Sequence, residues 1–200
     1  MTMPIPPTIR DAAPGEDDAL LALTLAAYDE YAAAFPPAFW AGYRRNIVEQ
    51  FDGGATAQRI VAVRDGALVG SVLLFPPASR DDGNGADSPP DGDGTGKPPD
   101  EGETSAPAAP EIRLLAVATA ARGQGVGALL LGECVRRARA AGAPALGLHS
   151  MEVMTVAIRM YERVGFVRDP RTDFRPVPEV LVKGYRLDLV SNNTSGSCFK

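Results

Sequence analysis

The apolar positions of this chain form short runs typical of β-strands, separated by segments with helical periodicity. The clearest strands form a hairpin, in which residues 59–63 and 68–75 flank the turn Asp65-Gly66, because an Asp-Gly pair accepts the backbone angles of a tight turn. Five further segments have the composition of strands: residues 8–10, 111–117, 145–149, 166–167 and 180–189.

Four other segments are predicted to be helices. Pro14 and the acids at 16–18 mark the start of a first helix that extends to about Tyr31, because proline and carboxylates suit the first helical turn. The others cover about 38–50, 125–141 and 152–163. Gly165 follows the last of them as a candidate C-cap. Hairpins combined with a helical crossover predict a fold of the α+β or mixed α/β class.

One segment breaks this pattern, between about 77 and 109, where Gly, Pro, Asp and Ser dominate. It holds too few apolar residues to repay the entropy of ordering, so we expect a disordered acidic insertion. A regulatory segment for a basic partner is the alternative interpretation. We therefore predict a single domain over residues 1–190 that carries this insertion, followed by a flexible tail at 191–200.

Composition and charge narrow the class of protein. Residues 76–110 hold eight acids and two bases, which leaves 17 acidic and 18 basic residues in the rest of the 200-residue chain. An almost neutral remainder has no basic surface typical of nucleic-acid or membrane binding. No apolar run is long enough to span a membrane, and the first residues do not resemble a secretory signal. The chain has only two cysteines, Cys134 and Cys198, so a disulfide framework is not expected. We therefore expect a cytoplasmic location.

The segment Arg122-Gly123-Gln124-Gly125-Val126-Gly127-Ala128 lies between a predicted buried strand and a helix. Glycines at a helix start let a ligand approach free backbone N–H groups, and the positive end of the helix dipole favours a pyrophosphate. A Walker loop is excluded because no Gly-Lys-Ser/Thr follows. A dinucleotide fingerprint requires an acid at the end of the next strand, where this chain has His149-Ser150. A plain connecting turn is the remaining alternative.

Two motifs give the chain a specific resemblance. Arg122-x-x-Gly125-x-Gly127 is similar to the acetyl-CoA loop of the GNAT superfamily of N-acetyltransferases. The run from Ala157 to Phe166, with Tyr161-Glu162 inside it, is similar to the second motif of that family. The resemblance implies the GNAT fold, a mixed and mostly antiparallel sheet of about six to seven strands flanked by about four helices. It also implies an enzyme that uses acetyl-CoA as cosubstrate and no metal.

The resemblance further implies which residues contact acetyl-CoA. The strand at 115–117 is expected to pair with the pantetheine arm, and the Val117 N–H to polarise the thioester carbonyl. Many family members have Asn where this chain has Met154, and Thr155 is the candidate substitute. The full set is Leu115, Ala116, Val117, Arg122, Gly123, Gln124, Gly125, Val126, Gly127, Ala128, Thr155 and Ala157.

Three side chains are catalytic candidates. Tyr161 matches the family tyrosine, and its phenol suits protonation of a departing thiolate, although a helical tyrosine is often simply packed. Glu111 opens one strand of the implied cleft and His149, the only histidine, ends the other. Either side chain is a candidate for accepting the proton of the attacking amine, since an ammonium group is largely protonated at neutral pH. A structural role is the alternative for each.

The acceptor is the least determined part of the prediction. Direct attack by the amine of a small molecule or peptide is implied by the family. The neutral core and the aromatic residues at 28–40 favour a small molecule, such as an amino acid, a polyamine or a drug amine, over a nucleosomal or ribosomal tail. No nucleic-acid or membrane partner is expected. A homodimer is compatible with the resemblance. The competing hypothesis of the same fold is a non-catalytic domain that binds acyl-CoA for regulation, which Met154 favours and Tyr161 disfavours.

Overall fold

The computed structural model describes residues 6–52, 56–77 and 109–190. The predicted insertion, the predicted tail and Cys198 lie outside the described residues, apart from the insertion's two ends. The strands are β1 Thr8–Asp11, β2 Gln58–Arg64, β3 Ala67–Phe75, β4 Glu111–Val117, β5 Ala145–Met151, β6 Val167–Arg168, β7 Phe174–Val177 and β8 Val180–Asp188. The helices are α1 Asp17–Tyr28, α2 Pro37–Asp52, α3 Val126–Ala140 and α4 Thr155–Val164.

The eight strands form one sheet in the order β1-β2-β3-β4-β5-β8-β6, with β7 paired to β8. Within the described residues, the strand pairings are antiparallel except that of β4 with β5, which is parallel. A parallel pair requires a crossover connection, and α3 provides it. The predicted fold class, a mixed and mostly antiparallel sheet with four helices, is therefore confirmed.

Helices cover both faces of the sheet. On one face, the apolar side of α3 and Tyr161 of α4 pack against strands β2 to β5 and β8. All five apolar residues predicted on this side of α3 are buried: Val126, Leu130, Leu131, Cys134 and Ala138. On the other face, Leu20 of α1 and Ile47 and Phe51 of α2 pack against β2, β3 and β4. Burial of these apolar residues on both faces holds the sheet between two helical layers.

Three elements differ from the prediction. The first helix ends at Tyr28, and a 3₁₀ helix at Asp29–Ala34 holds Tyr31. Helix α4 begins at Thr155 rather than near 152, because Met151–Met154 close a turn through the Met154 N–H and the Met151 carbonyl. Strand β7 was not predicted, since four residues with a central proline carry little strand signal. Gly165 ends α4 in a left-handed conformation, as predicted. No helix in the described ranges is long and apolar enough to cross a lipid bilayer.

Candidate active site

The site begins where β4 and β5 separate. These parallel strands pair only at Glu111 with Gly147 and at Ile112 with Leu148, although both continue further. Just beyond the last pair, the register of β4 against β3 shifts by one residue, and Leu114 takes a positive φ of 50°. An extra residue of this kind bends a strand away from its neighbour. The bulge at Leu114 therefore coincides with the opening of a cleft in the middle of the sheet.

Main-chain groups of β4 are directed into this cleft. The Ala118 N–H donates to the Val69 carbonyl of β3, and in an antiparallel pair successive residues direct their N–H and C=O groups to opposite sides. The backbone of Val117 consequently faces the side from which β5 has diverged, and Leu115 faces the same way. Ala116 instead lies opposite Ser71 with its backbone turned to β3. Of the three predicted residues, Leu115 and Val117 present main-chain groups to the cleft.

Helix α3 starts at the same end of the cleft. Its N-cap, Gly125, has a φ of 81°, and no side chain caps the first turn. Added Cβ atoms at Gly123 and Gly125 would meet no atom within 4 Å, so these glycines leave open space before the helix. The first N–H groups of any helix lack intrahelical acceptors. The N–H groups of Val126, Gly127 and Ala128 therefore form a candidate anion site.

Two side chains of the loop before α3 are tied to other elements. Arg122 donates through Nε to the Val117 carbonyl at 3.2 Å and through Nη1 to the Glu30 carboxylate. Gln124 bonds the Ala120 carbonyl and the Arg64 guanidinium. The loop is thus held against β4 and against the 3₁₀ helix that follows α1. Arg122, whose side chain is 39% exposed, lies at the loop's outer surface, where a phosphate can compete with Glu30 for it.

All three catalytic candidates line one pocket of about 80 Å³ in the cleft. His149 Nδ1 lies 2.8 Å from Glu111 Oε1, and His149 Nε2 lies 3.0 Å from the Thr172 carbonyl oxygen. Tyr161 closes the pocket from α4 and is buried, with 7% of its surface exposed. Residues that are 50 positions apart in the sequence, Glu111 and Tyr161, therefore meet at one site.

The surroundings of Glu111 keep it ionised. Burial acts to raise the pKa of this carboxyl, but the hydrogen bond from His149 and the charge and hydrogen bonds of Arg113 outweigh burial, so the pKa lies below its usual value. A carboxylate and a backbone carbonyl can only accept hydrogen bonds. At each of these two contacts, the His149 ring nitrogen is therefore the hydrogen-bond donor when it carries a proton.

Tyr161 belongs to a group of tyrosines at the pocket wall. Burial, with smaller contributions from Tyr31 and Cys134, raises the pKa of Tyr161 above its usual value. Burial likewise raises the pKa of Tyr28, which packs against Tyr43 with ring centroids 6.1 Å apart. Both phenols remain protonated at neutral pH and can donate hydrogen bonds. The aromatic residues predicted near the acceptor pocket are thus partly core and partly pocket wall.

The two predicted cofactor residues of α4 differ in exposure. Thr155, at the first position of the helix, is exposed, and Ala157 is half-buried. Met154, in the position where the family often has Asn, is buried and lines the pocket with its apolar side chain.

Several pocket residues were not predicted from the sequence. The polar ones among them are Tyr43, Asn46 and Gln50 of α2, Arg113 of β4 and Ser150 of β5. Asn46 and Gln50 lie four residues apart and are the only neutral amides on the predicted second helix, a signal that could have indicated a polar side facing the cleft.

The comparison with protein families agrees with this geometry. The family model described as the acetyltransferase (GNAT) family matches residues 24–166. The chain belongs to the GNAT acetyltransferase family. Acetyl transfer from acetyl-CoA is the chemistry of GNAT enzymes, and the resemblance inferred from the two motifs is confirmed. Among the curated proteins, the comparison gives no match.

Solved acetyltransferase structures share the fold at low sequence identity. A GNAT acetyltransferase from Staphylococcus aureus is 14% identical with a TM-score of 0.63, over 92% of this chain and 99% of that chain. A ribosomal-protein-alanine N-acetyltransferase from Brucella melitensis is 20% identical with a TM-score of 0.57, over 91% and 99%. Salmonella typhimurium yncA, solved with its cofactor acetyl-CoA, is 17% identical with a TM-score of 0.58, over 97% and 100%.

Proposed function

We propose that this chain is an N-acetyltransferase in which the amine of a small acceptor attacks acetyl-CoA directly, with both molecules bound at once. One observation carries the proposal: Glu111, His149 and Tyr161, which were selected from separate parts of the sequence, line one pocket at the point where β4 and β5 diverge. The gap in the sheet gives the pocket access to both faces. Glu111, the proposed proton acceptor, and Tyr161, the proposed proton donor, lie beside that gap.

The residues present suit acetyl-CoA. Uncapped N–H groups at the start of α3, open space beside Gly123 and Gly125, and the guanidinium of Arg122 suit a diphosphate. Leu115 and Val117 offer main-chain groups to an extended arm. Gln124, Thr155 and Ala157 are proposed to line the same ligand. When bound, acetyl-CoA supplies the acetyl thioester, and the chain supplies the groups around it.

Each catalytic candidate has a distinct proposed role. Glu111 accepts the proton that the acceptor amine must lose, directly or through a water molecule. His149 holds the Glu111 carboxylate in position through its 2.8 Å contact. The Val117 N–H donates to the carbonyl oxygen on which negative charge develops. Tyr161, protonated at neutral pH, donates to the departing thiolate.

The first experiment measures acetyl-CoA binding by calorimetry and thiol release across a panel of amines, amino acids and peptide N-termini. We expect saturable binding and turnover with a small amine. Glu111→Gln should lower kcat/KM by about 10²-fold or more, the usual range for loss of a general base, with little change in the Kd of acetyl-CoA. Glu133→Gln on α3, whose carboxylate pairs with Arg136 and Arg137 away from the pocket, is the control.

The outcomes separate the alternatives. Absence of acetyl-CoA binding would overturn the enzyme assignment. Saturable binding without turnover of any amine would instead support the non-catalytic acyl-CoA-binding domain. Equal activity of Glu111→Gln and the control would remove Glu111 from the mechanism.

A further inference from the structure

Two buried polar atoms without a hydrogen-bond partner lie in the proposed active-site pocket. Among the described residues, the buried side-chain atoms that lack a partner are Gln50 Oε1, Ser150 Oγ and Arg64 Nε. Gln50 and Ser150 both line the pocket of Glu111 and Tyr161. A buried polar atom without a partner costs about 1–3 kcal/mol, so two in one pocket indicate that a ligand completes them.

The two atoms lie on different faces of the sheet. Leu146 and Leu148 of β5 pack in the α3 cluster, and side chains alternate along a strand, so Ser150 faces the α3 side, where acetyl-CoA is proposed to bind. Gln50 belongs to α2, which packs on the opposite face. Because Gln50 lies on the face away from the proposed acetyl-CoA site, it is the acceptor amine that would contact Gln50.

The orientation of Gln50 determines what it can bind. Its Nε2 donates to Asn46 Oδ1 at 2.7 Å, one turn earlier on α2. This bond uses the donor end of the amide and leaves the oxygen as the end without a partner. A carbonyl oxygen only accepts hydrogen bonds. The group of the acceptor that lies against Gln50 must therefore carry an N–H or O–H.

The charges around the pocket favour the same kind of ligand. The ionised Glu111 carboxylate lines the pocket on the side of α2. Arg113, the cation beside it, directs Nε and Nη2 to Glu111 Oε2, and its guanidinium lies over the Phe75 ring at 4.7 Å. An acceptor with its own carboxylate would place a second negative charge beside Glu111, at an energetic cost.

We infer that the acceptor is a small amine that carries a second hydrogen-bond donor, such as an amino alcohol or a diamine, and that this donor binds Gln50 Oε1. This inference rests on the proposed function and names the substrate class of that site. Gln50 then selects among amines, while Glu111 acts on the nitrogen that reacts.

The test compares ethanolamine with its methyl ether, 2-methoxyethylamine, because the ether keeps the oxygen but cannot donate. Binding of each to the complex with free CoA is measured by calorimetry, where no turnover occurs, and kcat/KM is measured with acetyl-CoA. In the wild-type chain we expect a preference for ethanolamine of about tenfold, the range of one neutral hydrogen bond. Gln50→Leu should reduce this ratio to about one, while Gln50→Glu, which keeps an accepting oxygen, should retain it.

Gln58→Leu is the matched control, since Gln58 lies on β2 outside the pocket and contacts Arg137. It should keep the wild-type ratio. Equal wild-type affinity for the two amines, tighter binding of glycine than of ethanolamine, or binding of none of them would overturn the inference. If Gln50→Glu also loses the preference for ethanolamine, the accepting oxygen does not determine which amine binds, and the inference is wrong. Failure of acetyl-CoA to bind in the same calorimeter would overturn the proposed function separately.

Discussion

Gly125→Ala tests the proposed diphosphate site at the start of α3. Gly125 has a φ of 81°, a conformation that costs an L-residue about 1–2 kcal/mol. Alanine also lowers the conformational entropy of the unfolded chain, which stabilises the folded state by about 0.4–1 kcal/mol and offsets part of that cost. An added Cβ meets no atom within 4 Å, so no steric term adds to this balance. We expect a net loss of about 1 kcal/mol in the free energy of unfolding, or about 2–4 °C in Tm for a chain of this size.

Binding should suffer more than stability. The Cβ of the alanine would enter the open space before α3, where the proposed diphosphate meets the uncapped N–H groups. Loss of one hydrogen bond to a charged group is worth about 1.5–3 kcal/mol. We therefore expect the Kd of acetyl-CoA to rise by about ten- to a hundredfold.

Gly142→Ala provides a control with the same backbone strain. Gly142 follows the far end of α3, has a φ of 71°, and likewise has no atom within 4 Å of an added Cβ. Calorimetric titration with acetyl-CoA and thermal unfolding are measured on both variants. Both should lose similar stability, and only Gly125→Ala should lose affinity. Equal acetyl-CoA affinity in the two variants would refute the diphosphate site at the start of α3.

Three further predictions concern other parts of the molecule. Tyr161→Phe should lower kcat by about tenfold or more without changing the Kd of acetyl-CoA, since the phenol is proposed to act only on the thiolate. Single-turnover thiol release measures the rate of this step, and an unchanged rate would remove Tyr161 from the mechanism. Gly184→Ala should lower the free energy of unfolding by about 1–3 kcal/mol, because the added Cβ would collide with Thr172 Oγ1. In the Thr172→Ala background, urea unfolding should show that part of this free energy is recovered. No recovery would contradict the steric cause. Hydrogen bonds from Arg168 lower the pKa of Asp173 to about 2. The contribution of this carboxylate to stability is therefore present above the unfolded pKa near 3.9 and is lost as pH falls through about 2. The difference in free energy of unfolding between wild type and Asp173→Asn should close over that pH range, and a constant difference would contradict the ion-pair explanation.

The order of strands and helices was predictable because each element has a local cause. Alternating apolar residues, the Asp65-Gly66 turn and the apolar side of α3 act over a few neighbouring positions. Errors occurred where local causes are weak: the Pro-containing β7, and the ends of α1 and α4, where a 3₁₀ helix and a turn replace the last or first helical residues. Two glycine-containing motifs also indicated the family, because close approach to a ligand constrains residue type at fixed spacing.

The sequence alone determined the family and the class of fold, and it predicted the segments that are proposed to approach acetyl-CoA, since backbone conformation at a helix start depends on residues a few positions apart. Only the tertiary structure decided which side chains share the pocket. Glu111 meets His149 because two strands pair in one register, and the pair opens because a bulge at Leu114 bends β4. Gln50 reaches the same pocket from α2 across the sheet. These contacts join positions tens of residues apart, and they depend on register and packing that no local pattern encodes.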